Sequence, residues 1–211
     1  MTKKLCEQRI PDFLIRLASN APAPGGGSVA ALAGAQAAAL MAMVCRLTLG
    51  KEKYAGAEEE IRSGLQQLEI RQEEFMNLVD ADTEAYNAFA AALSLPKGSA
   101  QQKTARKQAM RKAAKTAAEV PARTLVAAHA TARLIHRLQP LSNQNCLSDM
   151  GTAMQMAWAA VLGASMNVLI NLPGTGDADF NERHRARVQT LKDQSHRWVQ
   201  ETTAAVFEAL A

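Results

Sequence analysis

Aromatic residues are scarce in this chain of 211 residues: Phe, Trp and Tyr make up 4%, although apolar residues as a whole reach 48%. Runs rich in Val, Ile, Thr and aromatic residues, which are typical of β-strands, are hard to find. A core built from Ala, Leu, Val and Met suits closely packed helices. The composition therefore predicts an all-α fold.

Cysteine is also scarce, and the three thiols at positions 6, 45 and 146 are an odd number. No disulfide framework is implied, so we expect a reducing, cytoplasmic location. The first residues, MTKKLCEQRIPDF, lack the apolar segment of a signal peptide.

Charge is absent from two long stretches, residues 28–45 and 150–176. Each is as long as the ~20 residues of a membrane span. Both contain Ala, Gly, amide or hydroxyl residues, which favours two central helices of a soluble protein and no membrane contact. Two such helices exceed what a bundle of this size buries alone, so we predict a homodimer that forms through them.

The pattern along the chain predicts one domain over residues 1–211, a bundle of about seven helices. Ser28 is an expected N-cap, and Pro121 is expected to start or kink a helix. The predicted helices cover about 5–19, 28–50, 58–95, 100–119, 121–138, 148–172 and 180–210.

Asp82 interrupts the apolar face of the third predicted helix, at a position where Leu or Phe would fit the spacing. Asp80 lies off that face, and we expect it to be solvated. A buried carboxylate is costly unless it is hydrogen-bonded or paired. Asp82 is therefore either a structural carboxylate bonded to a neighbouring helix, or one that lines a cleft where burial tunes its pKa for proton transfer.

Three glycines, Gly25, Gly26 and Gly27, precede the predicted helix start at Ser28. Glycine permits a positive φ or the close approach of another group to the backbone. The unpaired N–H groups of a helix start suit an anion. A plain tight turn is the alternative, and no Walker loop is present because no Gly-Lys-Ser/Thr follows.

Other polar residues have two interpretations each. Ser148 and Asp149 either cap the following helix or contact a ligand. Asn167 and Asn171 share one face of an uncharged helix and need a polar ligand or another helix as partner. A basic face is either solvated or a site for an anionic tail; it consists of Lys103, Lys107, Arg111 and Lys115.

Two classes of ligand are not expected. His129 and His136 have no neighbouring Cys, Asp or Glu at metal-ligand spacing, so we predict no metal site. Nucleic acid is not expected as a partner, because no aromatic residues are interleaved with the basic ones.

Five motifs occur in a specific order: PAPGGGSVAALAG, LTLGKEKY, VDADTEAYNAF with LPK, NQNCLSDMG and NVLINL. In this order they resemble the cyclodeaminase domain of formiminotransferase-cyclodeaminase and the related single-domain methenyltetrahydrofolate cyclohydrolases. The resemblance covers about residues 10–210. It implies a helical bundle that dimerises, with a folate site near the subunit interface.

The resemblance leaves three functions open. A lone domain of this kind is expected to convert 5,10-methenyltetrahydrofolate and water to 10-formyltetrahydrofolate. The alternative is cyclodeamination of 5-formiminotetrahydrofolate, which releases ammonia and passes through a similar tetrahedral carbon. The third is a non-catalytic folate-binding or helical interaction module.

The chemistry of this substrate matches the candidate residues. Its methenyl bridge is a cation, so Asp82 or Asp149 is expected to stabilise it and to accept a proton from water. The other expected contacts are Gly25–Ser28, Lys51 and Lys97 for the glutamate or polyglutamate tail, Asn143, Asn167 and Asn171 for the pterin edge, and Ser148. No cofactor beyond the tetrahydrofolate substrate is expected.

Overall fold

The computed structural model describes residues 4–211, and the regular structure in this range is all helical, as predicted. Six α-helices are joined by short connections, several of which contain a 3₁₀ turn. They are α1 (Ile10–Leu17), α2 (Gly26–Thr48), α3 (Glu58–Leu93), α4 (Ala100–Leu138), α5 (Leu147–Asn171) and α6 (Ala178–Leu210). The organisation as one domain over 1–211 stays a prediction.

The fourth and fifth predicted helices are one continuous helix, α4, with Pro121 in its interior. Proline has no N–H to donate to the carbonyl four residues earlier, here that of Ala117. The side-chain amide of Asn171, on α5, donates to this carbonyl at 3.0 Å instead. The prediction that Pro121 starts a new helix is therefore wrong, a kink at Pro121 stays a prediction, and the described range contains six α-helices rather than about seven.

The first predicted helix is shorter than expected. A 3₁₀ turn covers Leu5–Glu7, Gln8 is extended, and α1 begins at Ile10. Pro11 lies in the first turn of α1, where its missing N–H costs nothing.

Helices α2 and α5 run antiparallel at the centre of the bundle. Helix α3 packs against α2 and α4, α4 packs against α5, and α6 packs against α4 and α5. Small residues let α2 and α5 approach closely: a β-carbon on Gly163 of α5 would come within 2.9 Å of the β-carbon of Ala30 on α2. Two apolar clusters follow each other along the bundle, one around Phe75 and Val168 and the other around Met41 and Met150. The core therefore runs the length of α2.

One side of the α2–α5 pair has no charged residue and is not covered by the other described elements. Its exposed residues include Met43, Leu47, Met166 and Ile170, the last of which is 77% exposed. We call this surface the uncharged face. Two segments, Gly26–Thr48 and Gln144–Gly174, are long and apolar enough to span a membrane. In the most apolar 18 residues of each segment, 67% and 44% of the residues, respectively, are buried in the fold. The uncharged face thus needs a partner or another covering layer.

Candidate active site

Helix α2 begins at Gly26, two residues earlier than predicted, and Gly25 is its N-cap. Ser28 is therefore the third residue of the helix and not its cap, and its fully buried hydroxyl points towards α3. In residues 4–211 only Gly50 and Gly176 have a positive φ. Backbone conformation thus does not require these glycines. Close approach of another group explains Gly26 and Gly27, whereas a β-carbon on Gly25 would meet only Pro22 O, at 3.8 Å.

At Gly27, the approaching group is the carboxylate of Asp82. A β-carbon on Gly27 would overlap this carboxylate. The Ser28 hydroxyl donates to Asp82 Oδ2 at 2.9 Å. The Ser28 backbone, like the hydroxyl, lowers the pKa of Asp82. Asp82 therefore lies at the start of α2, where the positive end of the helix dipole favours a negative charge. The anion at this glycine-rich helix start is a side chain of the protein itself.

Burial and hydrogen bonding act on Asp82 in opposite directions. Burial raises the pKa of Asp82 above its ordinary value of 3.8, and the hydrogen bonds from Ser28 lower it, with a net increase. A carboxylate with a raised pKa is a better proton acceptor. The first interpretation of Asp82 is therefore confirmed, since its carboxylate is bonded to a neighbouring helix. Its side chain is partly exposed, and the second interpretation, a carboxylate that lines a cleft for proton transfer, stays a prediction.

Asn167 on α5 lies on the other side of the same helix start. A β-carbon on Gly26 would come within 3.3 Å of its Nδ2 atom. This Nδ2 donates to the carbonyl of Gly163 at 2.8 Å. The amide of Asn171 donates to Asn167 O and Ala117 O. Both asparagines thus have protein partners, and a ligand role for either stays a prediction. We call Gly25–Ser28, Asp82 and Asn167 the Asp82 site.

A basic pocket of about 550 Å³ lies where α4 passes the turn that follows Asn171. It is lined by Lys97, Lys103, Arg106, Lys107, Met110, Arg111, Pro173, Gly174 and Gly176. Lys115, the fourth member of the predicted basic face, pairs instead with Asp177 at 2.6 Å. This hydrogen bond from Lys115 lowers the pKa of Asp177, which caps α6. The basic face is therefore divided between a pocket and a structural ion pair.

The remaining predicted site residues lie at the opposite end of α2. Asn143 is buried; its backbone N–H donates to Thr48 Oγ1 at 2.9 Å and its side chain donates to Leu47 O at 3.2 Å. Ser148 and Asp149 are in the first turn of α5, and neither side chain caps it. Lys51 is exposed just after α2. We call this group the Asp149 end.

Within one chain, the Asp149 end and the Asp82 site are separate. Asp149 and Asn167 are five turns apart on α5, a distance of about 27 Å along the helix. One chain therefore cannot place Asp82 and Asp149 on the same reacting carbon. The ligand roles of Lys51, Asn143, Ser148 and Asp149 stay predictions.

Asp80 is not solvated, and that prediction is wrong. Its Oδ1 accepts a hydrogen bond from the backbone N–H of Leu5 at 2.7 Å. Its Oδ2 is buried without a hydrogen-bond partner in residues 4–211. Burial raises the pKa of the Cys6 thiol, and the nearby Asp80 carboxylate adds to this increase. Asp80 thus holds the N-terminal turn against α3, a long-range contact that helix periodicity could not reveal.

Sequence reasoning missed Thr83. This residue is buried on α3, and its hydroxyl lies 3.3 Å from the Ser28 hydroxyl. It follows Asp82 directly in the chain, so the spacing of apolar residues gave no signal for it.

The histidines singled out in the sequence tie two helices together. His129 Nδ1 lies 3.1 Å from Ser195 Oγ, and His136 Nδ1 lies 3.0 Å from Thr202 Oγ1, so both join α4 to α6. In the part of the chain that the structure describes, no three His, Cys, Asp or Glu side chains are grouped as a metal ion requires.

Residues 9–190 match the family model described as formiminotransferase-cyclodeaminase. The chain is 36% identical over 184 residues to methenyltetrahydrofolate cyclohydrolase of Methylorubrum extorquens, covering 87% of this chain and 88% of that protein. It is 32% identical over 193 residues to formimidoyltransferase-cyclodeaminase of Gallus gallus, covering 92% of this chain and 36% of the much longer chicken protein.

The fold also matches a solved structure. The crystal structure of formiminotetrahydrofolate cyclodeaminase from Thermotoga maritima gives a TM-score of 0.87 at 25% identity, covering 97% of this chain and 98% of that one. Sequence and fold thus agree over nearly the whole length. The chain belongs to the formiminotransferase-cyclodeaminase family.

Proposed function

We propose that this chain is an enzyme of folate one-carbon metabolism that hydrolyses 5,10-methenyltetrahydrofolate to 10-formyltetrahydrofolate. The observation that carries the proposal is the position of Asp82, a partly exposed carboxylate with a raised pKa at the start of α2. The match to the Methylorubrum extorquens protein supports the choice of reaction, since 88% of that protein is covered.

In this proposal Asp82 accepts a proton from the attacking water. The water oxygen bonds to the methenyl carbon, and the cation becomes a neutral tetrahedral carbon joined to N5 and N10. The bond from this carbon to N5 then breaks, the hydroxyl proton leaves, and N5 takes up a proton. The formyl group remains on N10, and one proton of the water is released overall. The negative charge of Asp82 also stabilises the cationic substrate before attack.

Asn167 and the basic pocket are assigned to the two ends of the substrate. The amide of Asn167 faces the helix start beside Asp82 and suits the polar edge of the pterin. The basic pocket begins just beyond Asn171 and suits the anionic glutamate tail, with Lys97, Lys103 and Lys107 as the cations. A polyglutamylated tail adds one carboxylate per residue, so it gains most from this pocket.

We propose that the protein is a homodimer, paired through the uncharged face. Met166 and Ile170 on that face flank Asn167, so a second copy would lie beside the Asp82 site. In an antiparallel pairing of the α2 helices, the partner subunit's Asp149 end would approach the Asp82 site. Such an arrangement would bring the Asp149 end of one subunit, which comprises Asp149, Ser148, Asn143 and Lys51, close to the substrate bound at the Asp82 site of the other. A single chain cannot do this.

We propose a cytoplasmic location for this protein. The three cysteines are free, which suits a reducing cytoplasm. Pairing of two uncharged faces would cover the exposed apolar residues of α2 and α5 without a membrane. We propose no nucleic-acid partner and no cofactor beyond the folate substrate.

Cyclodeamination of 5-formiminotetrahydrofolate is the second candidate. It is favoured by the Thermotoga maritima structure, because 98% of that cyclodeaminase chain is covered by this one. In this reaction N10 attacks the formimino carbon, and Asp82 would transfer a proton to the nitrogen that leaves as ammonia.

One assay separates the candidates. The purified protein is given 5,10-methenyltetrahydrofolate or 5-formiminotetrahydrofolate, and methenyl absorbance and ammonia are followed together. Enzyme-dependent loss of absorbance from the first folate supports the cyclohydrolase. Gain of absorbance with ammonia from the second, and no reaction with the first, supports the cyclodeaminase. Binding of either folate without turnover would overturn both and leave a non-catalytic module.

A further inference from the structure

Ser28 has more hydrogen-bond neighbours than it can donate to at one time. Its Oγ lies 2.9 Å from Asp82 Oδ2, 3.0 Å from the carbonyl of Val79 and 3.3 Å from the hydroxyl of Thr83. A hydroxyl carries one proton and two lone pairs. Ser28 therefore donates either to Asp82 or to Val79, and the choice depends on what the other neighbours donate to it.

Two complete arrangements exist, one for each protonation state of Asp82. When Asp82 is ionised, Thr83 donates to Ser28 and Ser28 donates to Asp82. When Asp82 is protonated, Asp82 and Thr83 both donate to Ser28, and Ser28 donates to the Val79 carbonyl. No hydroxyl loses its partner when the proton arrives or leaves, which matters because unpaired buried polar groups are costly.

We propose that Thr83 is a positioning residue that acts through Ser28 on the proton exchanged at Asp82. This inference rests on the proposed function, in which Asp82 accepts that proton. A hydrogen bond donated by Thr83 polarises the Ser28 hydroxyl, which strengthens the hydrogen bond that Ser28 donates to the Asp82 carboxylate. Thr83 therefore favours the ionised, proton-accepting form of Asp82.

Within one chain, burial and hydrogen bonds, rather than nearby charges, set the pKa of Asp82. Helix α2 has no charged residue before Arg46, and α5 has none after Asp149. The other charged side chains on α3 and α4 in this half of the bundle point elsewhere: Asp80 to Leu5, Glu84 to solvent, and Glu119 and Arg123 to a pocket beside Glu74. Loss of one hydroxyl should therefore be visible in the titration of Asp82.

The test compares Thr83→Val, which removes the hydroxyl, with Thr83→Ser, which keeps it. The pKa of the Asp82 carboxyl is measured by carbon-13 NMR, with Asp82→Asn to assign the signal, and folding is checked by circular dichroism. Thr83→Val should raise the pKa of Asp82 by roughly 0.3 to 1 unit. The acid limb of the pH–rate profile should move to higher pH by the same amount, and Thr83→Ser should stay near wild type in both.

Three results would overturn the inference: an unchanged Asp82 titration in Thr83→Val, equal shifts in both variants, or a shifted titration with an unmoved pH–rate profile. If the wild type turns over neither folate, the proposed function fails separately. The NMR titration then still decides whether the hydroxyl pair controls the proton on Asp82.

Discussion

The carboxylate of Asp82 lies directly on the backbone of Gly27, so that no β-carbon fits between α2 and α3 at this point. The contact places the only carboxylate in the Asp82 site against the start of the central helix, where the Ser28 hydroxyl donates to it. It accounts for the glycine at position 27, and it makes Gly27 a sensitive position for both stability and activity.

Gly27→Ala is expected to push Asp82 away from the helix start. Overpacking of this kind should destabilise the protein by roughly 1–3 kcal/mol and remove most of the turnover. Gly56→Ala is the matched control, because a β-carbon there meets no atom within 4 Å. Urea unfolding and the folate assay measure the two effects. Equal behaviour of the two variants would show that the tight contact has no consequence.

Asp82→Asn keeps the shape of the side chain but removes the charge and the proton acceptor. Turnover should fall by roughly 10²- to 10⁴-fold, as for other lost general bases, while folate binding changes much less. Glu84→Gln, an exposed carboxylate on the same helix, should be nearly silent. Asp80→Asn is not a suitable control, since Asp80 holds Leu5. Wild-type turnover in a folded Asp82→Asn protein would transfer the role to Asp149.

Asn171→Leu should leave the Ala117 carbonyl without a donor, because Pro121 cannot supply one. The expected loss of stability is roughly 1–3 kcal/mol in urea unfolding. In a Pro121→Ala background the backbone N–H is restored, so the same Asn171→Leu change should cost less. Strictly additive effects of the two changes would contradict the proposed role of Asn171 in the continuous helix.

Lys107→Gln removes one cation from the basic pocket. The KM for a triglutamyl folate should rise roughly two- to fivefold, the range expected for one exposed ion pair, with little change for the monoglutamate or in kcat. Arg185→Gln, an exposed change on α6, is the control. An equal rise in KM for both folates would place the tail elsewhere.

Ile170→Lys should separate the proposed dimer, because it puts a charge on the uncharged face. Light scattering is expected to give twice the chain mass for the wild type and the single-chain mass for the variant. Ile10→Lys is a matched control, since Ile10 is 76% exposed and Ile170 is 77% exposed. A monomeric wild type at micromolar concentration would refute the dimer.

The sequence by itself determined the fold class, the rough course of most helices, and the unusual position of Asp82. These features depend on local periodicity and composition, which are fixed by residues three or four apart. The glycine run also indicated close approach of an anion to the helix start, because glycine leaves the backbone N–H groups there open to a neighbouring group.

Only the tertiary structure decided which groups meet. Asp82 on α3 contacts Gly27 on the neighbouring α2. Asn171 donates to the carbonyl that Pro121 leaves unpaired, and Asp80 accepts from the backbone N–H of Leu5. Each contact joins residues far apart in the chain, and a side-chain donor can replace a backbone donor wherever packing brings it near. For the same reason Asp82 and Asp149, which look alike as candidates in the sequence, lie at opposite ends of the folded chain.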